Sequence, residues 1–350
     1  MASSASHSTL INDTLETLFS DVNNSFVKNW QFPRFSRYDQ VLRKLGYPMD
    51  TVYENLGLDV TRFSEISSGV SAQDFLSIIG AIVSQTEDTR LGVKLGSMRI
   101  PRQMGVRFYI ALFSKTLRLA LKDFLFYCAL EIPLIQIKFN EGDMYTEIQL
   151  EYAIEDQWIT FEIDVDIISI VNLIRELLIL PDWSPKSITT TYALDPARHD
   201  ALSAVVRCPI AQKDKINSIV LPSKFLDYEL KFSDPYAKKI MIDEFNRTQN
   251  RSKLENSFVS STVYYFVKHY EHYGCIANLK DLASYFNLSE THYQRALIRE
   301  GTNFRRIRGD FTFKMASMLI RSGLDKSIIA NRLGYSGLSS FSRFFNSHEL

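Results

Sequence analysis

Near the carboxy-terminal end the sequence twice places a short apolar helix, a tight break and a capped second helix, about fifty residues apart. Leu279, Leu282, Ala283 and Phe286 fall at i, i+3, i+4 and i+7, which makes one apolar helix face. Asn287-Leu288-Ser289 breaks that pattern. Ser289 is an N-cap for a second helix, in which Tyr293 and Leu297 point inward and Gly301 marks the end. The second copy has Ile329, Ala330 and Leu333, a turn at Gly334-Tyr335-Ser336, and a helix from Leu338 to Phe345 with Phe341 and Phe345 inward. Between the copies, Phe304, Ile307, Phe311, Met315 and Met318 recur at helical spacing and predict a connecting helix over Asn303 to Ile320.

Two short helices crossing over a tight turn leave the start of the second one exposed, and that is the part able to enter a major groove. The outward positions there are Thr291, His292, Gln294, Arg295 and Arg299 in the first copy and Ser339, Ser340 and Arg343 in the second. Arg suits a guanine edge, Gln an adenine edge, and Arg299 a phosphate. The whole chain has formal charge +0, with 40 basic and 40 acidic residues, yet the charge is unevenly spread. From Leu254 onward there are 12 Lys and Arg against 8 Asp and Glu, which leaves 28 against 32 before it. That asymmetry fits a basic end on DNA and an acidic remainder.

A chain of 350 residues exceeds what one core usually organises, so at least two domains are expected. Upstream, apolar residues recur at helical spacing from Tyr38 to about Phe126, with breaks at Gly46-Tyr47-Pro48, Gly57 and Gly92 to Gly96. Ser71 with Asp74 reads as a helix start, and Leu117 to about Leu130 as a second apolar helix. After Pro133, Leu134 to Phe139 and Met144 to Tyr152 flank Asn140-Glu141-Gly142-Asp143, a hairpin signal. Trp158 to Val165 reads as a third strand, Asp166 to Leu178 as a helix, and Ser187 to Tyr192 and Ile219 to Leu221 as short strands. The fold class expected is an α+β amino-terminal domain, helical with a small antiparallel sheet, followed by an all-α double helix-turn-helix domain. The divisions are a ligand-sensing or dimerisation domain over 20–240, a linker over 241–256, and the helix-turn-helix domain over 257–350.

Cys128, Cys208 and Cys275 are odd in number and widely spaced, which argues against a disulfide framework or zinc site and for a reducing compartment. Met1 to Thr9 lack the basic start and apolar core of a signal peptide, and the longest apolar stretch, Ile167 to Leu180, is broken by Asn172, Arg175 and Glu176. A cytoplasmic protein is expected, with no membrane partner. His269 and His272 read as packing residues rather than ligands, no metal spacing or phosphate loop is present, and no cofactor is expected. Carboxylates such as Glu147, Glu151 and Asp164 do not form a pair chosen by the pattern, so the chain is not expected to be an enzyme.

The segment Leu288 to Leu297 resembles the first recognition helix of the AraC/XylS family of transcription regulators. Glu300-Gly301-Thr302-Asn303-Phe304 is similar to a signature of one branch of it. Ile329-Ala330-x-x-Leu333-Gly334-Tyr335 and Ser339-x-Phe341-Ser342-Arg343-x-Phe345 resemble the second unit. Leu91-Gly92-Val93-Lys94-Leu95-Gly96 and Gly105 fall in the order of that branch's "arabinose-binding" amino-terminal domain. The resemblance implies double-stranded DNA and RNA polymerase as partners, the polymerase being recruited by an activator or obstructed by a repressor, a small-molecule effector of unknown identity, and leaves a homodimer as one option for its assembly. The sequence departs from the family at Thr312, where an Arg is common, at Lys326, where an apolar residue is common, and at Gly309 inside the connector. Asn346, Ser347 and His348 stand in place of a basic pair and a Trp-x-Gly-x-x-Pro tail, so a closing helix is not expected. An alternative function follows from that departure: an interaction or dimerisation protein whose helix-turn-helix region binds DNA weakly or not at all.

Overall fold

The computed structural model describes residues 31–32, 35–59, 70–98, 101–132, 134–154, 156–213, 216–248, 258–321 and 323–348. Met1 to Thr9, the second half of the expected linker, residues 249–256, and residue 257 lie outside the described residues. The chain opens with β1 (Gln31–Phe32), α1 (Phe35–Lys44), α2 (Met49–Leu56), β2 (Val70–Ser71), α3 (Ala72–Thr86), α4 (Leu91–Met98), α5 (Val106–Leu112) and α6 (Leu117–Glu131). It continues with β3 (Ile135–Glu141), β4 (Tyr145–Tyr152), α7 (Ile159–Leu178), β5 (Ser187–Thr190), α8 (Pro196–Val206), β6 (Ile210–Gln212), β7 (Asn217–Pro222) and α9 (Pro235–Thr248). The last part is all helical: α10 (Phe258–Tyr273), α11 (Leu279–Tyr285), α12 (Glu290–Arg299), α13 (Phe304–Arg321), α14 (Lys326–Arg332) and α15 (Leu338–Asn346).

Several local signals act as expected. The Ser71 hydroxyl accepts the Asp74 N–H at 3.0 Å and starts α3. The hairpin forms in register, Ile135 opposite Tyr152 through Glu141 opposite Thr146. The five-stranded sheet has the order β3-β4-β7-β5-β6. Its neighbours are antiparallel except β5 and β6, which run parallel because α8 carries the chain across between them. The hydrophobic core lies between this sheet and the surrounding helices, with Ile137, Ile148, Leu150 and Ile219 meeting Phe124, Leu125 and Ile174.

Two expectations fail for a shared reason: alternation and glycine were read as local signals, and tertiary contacts overrode them. Trp158 to Val165 is not a strand but the entry of α7. Its polar residues do not face solvent; they are buried and paired. Glu162 accepts the Tyr38 hydroxyl at 2.9 Å, and Asp164 takes the Arg198 guanidinium at 2.8 Å, the latter packed between the rings of Phe161 and Tyr192. Burial nonetheless holds the Asp164 carboxyl above its ordinary range, against the pull of Arg198. Likewise, Gly92 to Gly96 is not a break but part of α4, pressed against α7. A Cβ at Gly92 would lie 2.4 Å from the Phe161 carbonyl oxygen, and one at Gly96 would lie 3.0 Å from Ile168 Cβ.

The two ends of the chain share a second core. On α6, Phe126, Tyr127 and Leu130 turn away from the sheet and pack with Phe245 of α9 and with Tyr264, Tyr265 and Tyr270 of α10. The aromatic run Tyr264 to Tyr273 is thus core, as its helical spacing implies, and part of it seals the two halves. The Tyr264 hydroxyl donates to the Ala129 carbonyl at 2.6 Å. Asp123, buried on α6, accepts from Ser114 at 3.0 Å, Lys238 at 2.5 Å and Tyr273 at 2.8 Å. His272 is a packing residue. Its Nδ1 bonds the Lys268 carbonyl at 2.9 Å, its Nε2 has no hydrogen-bond partner among the described residues, and its ring meets Phe126 at 5.7 Å.

Burial lowers the His272 pKa to about 3, and Lys268, His269 and Lys122 nearby push the same way. The folded state keeps this imidazole neutral while an unfolded one takes a proton below about pH 6.5. Stability is therefore present above that pH and falls as pH drops through the window from 6.5 toward 3, by up to about 1.4 kcal/mol per pH unit for this one proton. Urea titrations between pH 7 and 5 should show that slope, and a flatter one for His272→Gln. Gly92→Ala should destabilise by about 1–3 kcal/mol through overpacking against α7, measured in the same assay.

Candidate nucleic-acid interface

The helix-turn-helix units are built from repeated chain reversals. Asn287, Gly301, Gly323 and Gly334 all take positive φ, between 52° and 81°. In each case the next residue's N–H reaches back to close the helix: Leu288 to Ala283 at 2.9 Å, Thr302 to Leu297 at 3.1 Å, Leu324 to Leu319 at 3.2 Å, and Tyr335 to Ala330 at 2.9 Å. Helix starts are fixed as well. Asn278 and Asp281 form a reciprocal capping box at the head of α11, and the Ser289 hydroxyl accepts the His292 N–H at 3.3 Å at the head of α12. Tyr293, fully buried, stacks on Phe286 at 5.1 Å and meets the Thr262 hydroxyl, fixing α12 against α10 and α11.

That construction leaves one face of α12 open. Thr291, His292, Gln294, Arg295 and Arg299 are all exposed. His292 is partly engaged, since its Nδ1 lies 2.8 Å from the Ser289 hydroxyl oxygen. In the second unit Ser339 and Arg343 are exposed on α15, while Ser340 is half-buried and its hydroxyl donates to the Gly337 carbonyl at 2.8 Å. Among the described residues no side chain caps the start of α15, whose first flanking residue is Gly337. The connector expected over Asn303 to Ile320 is α13, with Ile307, Phe311, Met315 and Met318 buried. Thr312 is also buried and donates to the Arg308 carbonyl at 2.6 Å, so no charged side chain points inward there. Gly309 has a local reason: the His348 ring lies over it, Nε2 3.0 Å from where a Cβ would stand, and packs on Phe344 at 4.2 Å.

Two features escape the sequence reading. Arg305, Arg306 and Arg308 stand exposed in the first turns of α13. Cations there oppose the helix dipole, which favours negative charge at that end. The signal was visible as three arginines in four positions. The second is Glu300, whose carboxylate accepts the Phe258 N–H at 2.8 Å and the Val259 N–H at 3.1 Å, capping α10 from across the domain. Nothing in local spacing links residues 42 positions apart.

Among the described residues no group of three or more His, Cys, Asp or Glu is placed to hold a metal ion, and no helix is long and apolar enough to cross a membrane. Among the described residues Cys128, Cys208 and Cys275 form no disulfide. Burial raises the Cys208 thiol to about 11, which keeps it protonated and unreactive.

The family model for the arabinose-binding amino-terminal domain of AraC transcription regulators matches residues 46–230, more than half of the chain. The chain belongs to the AraC family of transcription regulators. It is 22% identical over 319 residues to uncharacterised HTH-type transcriptional regulators of Mycobacterium bovis and Mycobacterium tuberculosis. Each match covers 87% of this chain and 90% of the relative. The crystal structure of the transcriptional regulator CdpR from Pseudomonas aeruginosa is 18% identical with a TM-score of 0.45, covering 86% of this chain and 93% of that one.

Glu300→Ala should remove two charge-assisted bonds from the first turn of α10 and cost about 1–2 kcal/mol. Chemical denaturation of the full chain measures it, and an unchanged midpoint would show that water replaces the carboxylate there.

Proposed function

We propose that this AraC-family regulator binds double-stranded DNA in a sequence-specific way under the control of a small-molecule effector taken up by its amino-terminal domain. The observation that carries this reading is the exposed face of α12, where Thr291, Gln294, Arg295 and Arg299 project from a helix otherwise fixed by buried Tyr293 and Leu297. Arg295 and Gln294 read base edges, with Thr291 and His292 beside them, and Arg299 holds a phosphate. Ser339, Ser340 and Arg343 make the corresponding contacts from α15, and these are weaker because that helix has no side-chain cap and the Ser340 hydroxyl is already turned to Gly337. Residues 20–240 form the sensor or dimerisation domain, 241–256 the connection and 257–350 the DNA-binding domain. The regulator works in the cytoplasm, as a homodimer that recruits or obstructs RNA polymerase. It carries no catalytic activity.

The test is a mobility-shift titration at several salt concentrations against DNA upstream of its own and neighbouring genes. A saturable shift that weakens steeply with salt supports the reading. Its absence favours the alternative, an interaction or dimerisation protein. Arg295→Ala should cost about 1–3 kcal/mol and relax preference at one base position. Arg305→Ala should instead weaken binding evenly across sequences and reduce the salt slope by about one counterion.

A further inference from the structure

α6 has two working faces. Phe126, Tyr127 and Leu130 face the helices of the carboxy-terminal core, while Phe124, Leu125 and Cys128 line a cavity closed by α5, β3 and α7. The cavity is small, about 20 Å³, and partly open to solvent. Beside it, sharing Ile132 and Asp166 as walls, lies a second space of about 20 Å³. The lining is mainly aliphatic, yet among the described residues it contains buried polar atoms that make no hydrogen bond. Arg107 is 6% exposed, and among the described residues its Nε and Nη1 have no hydrogen-bond partner. Nη1 lies 2.8 Å from Glu131 Oε2, an ion contact off the hydrogen-bonding direction. The Ser169 hydroxyl on α7, 4% exposed, is also without a partner. Buried donors left unpaired are costly, so this wall is matched to an incoming acceptor.

Charge decides which acceptor. Glu131 already balances Arg107, and Asp166 and Glu162 stand on the remaining walls, bonded by Tyr152 and Tyr38. A second anion would be repelled, and a cation would meet Arg107. We infer that the cavity between α5, α6, α7 and β3 is the effector site, and that it takes a small neutral molecule with an aliphatic body and a carbonyl or hydroxyl oxygen directed at Arg107 and Ser169. This rests on the regulator reading above and specifies where its effector acts. The space is narrow, with room for little more than a water between its walls, so a larger occupant spreads α6 from α7. Because the opposite face of α6 carries Tyr264, Tyr265 and Tyr273, the DNA-binding helices move with it.

The test uses the full chain and four six-carbon probes differing only in the head group: 2-hexanone, 1-hexanol, hexanoate and hexylammonium. Thermal unfolding should rise saturably with the ketone and the alcohol and not with the two ions. The rise should disappear in Ser169→Leu, which fills the cavity, and shrink in Ser169→Ala, which keeps the space and removes the hydroxyl. If neither neutral probe shifts unfolding, the cavity holds water only and the assignment falls. It falls equally if an ion binds best, or if the shift survives in both variants. In the mobility-shift assay 2-hexanone should change the midpoint at least threefold for the wild-type chain and not for Ser169→Leu. Binding without that change would overturn the transmission through α6. A chain that takes up the probes but never binds DNA would sink the regulator reading and leave the site standing.

Discussion

The structure depends most on α6 being buried on both sides. A helix with one apolar stripe can serve only one core, but α6 presents Leu121, Phe124 and Leu125 to the sheet domain and Phe126, Tyr127 and Leu130 to the carboxy-terminal helices. Each large side chain buried this way contributes about 1.5–3 kcal/mol relative to exposure. The joint is therefore a packed interface rather than a tether. Its polar atoms are also directed: Asp123 has three partners from three different segments, and the Tyr264 hydroxyl finds a backbone carbonyl. Removing either half would leave a buried carboxylate and several aromatic rings uncovered, so the two cores form one mechanical unit.

Within that unit, α7 does for the amino-terminal half what α10 does for the other. It is surrounded on nearly all sides, and it tolerates buried Glu162 and Asp164 only because Tyr38, Tyr192 and Arg198 arrive from distant segments to pair with them. Such pairs contribute little net stability but penalise any other arrangement, since a misplaced partner leaves a buried charge alone. The close seat of α4 on α7 at Gly92 and Gly96 adds a steric version of the same constraint. The glycine positions that resemble the family pattern thus have a physical role in this chain, which is to let two helices approach.

The helix-turn-helix region was more legible than the rest because its determinants are local. The cap at Ser289, the reversals at Gly301 and Gly334, and the inward Tyr293, Leu297 and Phe341 act within one or two turns of where they stand in the sequence. Exposure of Arg295 and Gln294 follows from helical period alone once those inward positions are fixed. The hairpin at β3 and β4 was readable for the same reason. By contrast, Trp158 to Val165 alternates like a strand, and only the remote partners of its acidic residues make a buried helix the better solution.

The sequence by itself determined the paired helix-turn-helix units, the capped starts, the hairpin and the basic face of α12, because each rests on spacing and on residues near one another in the chain. Tertiary structure alone decided that α4 is continuous, that β6 lies parallel at the sheet edge, that Glu300 caps α10, and that one helix joins both cores beside a cavity containing Arg107 and Ser169. Those outcomes depend on burial and on contacts between residues far apart in sequence, and no local pattern encodes which distant group will satisfy a buried charge or fill the space beside a glycine.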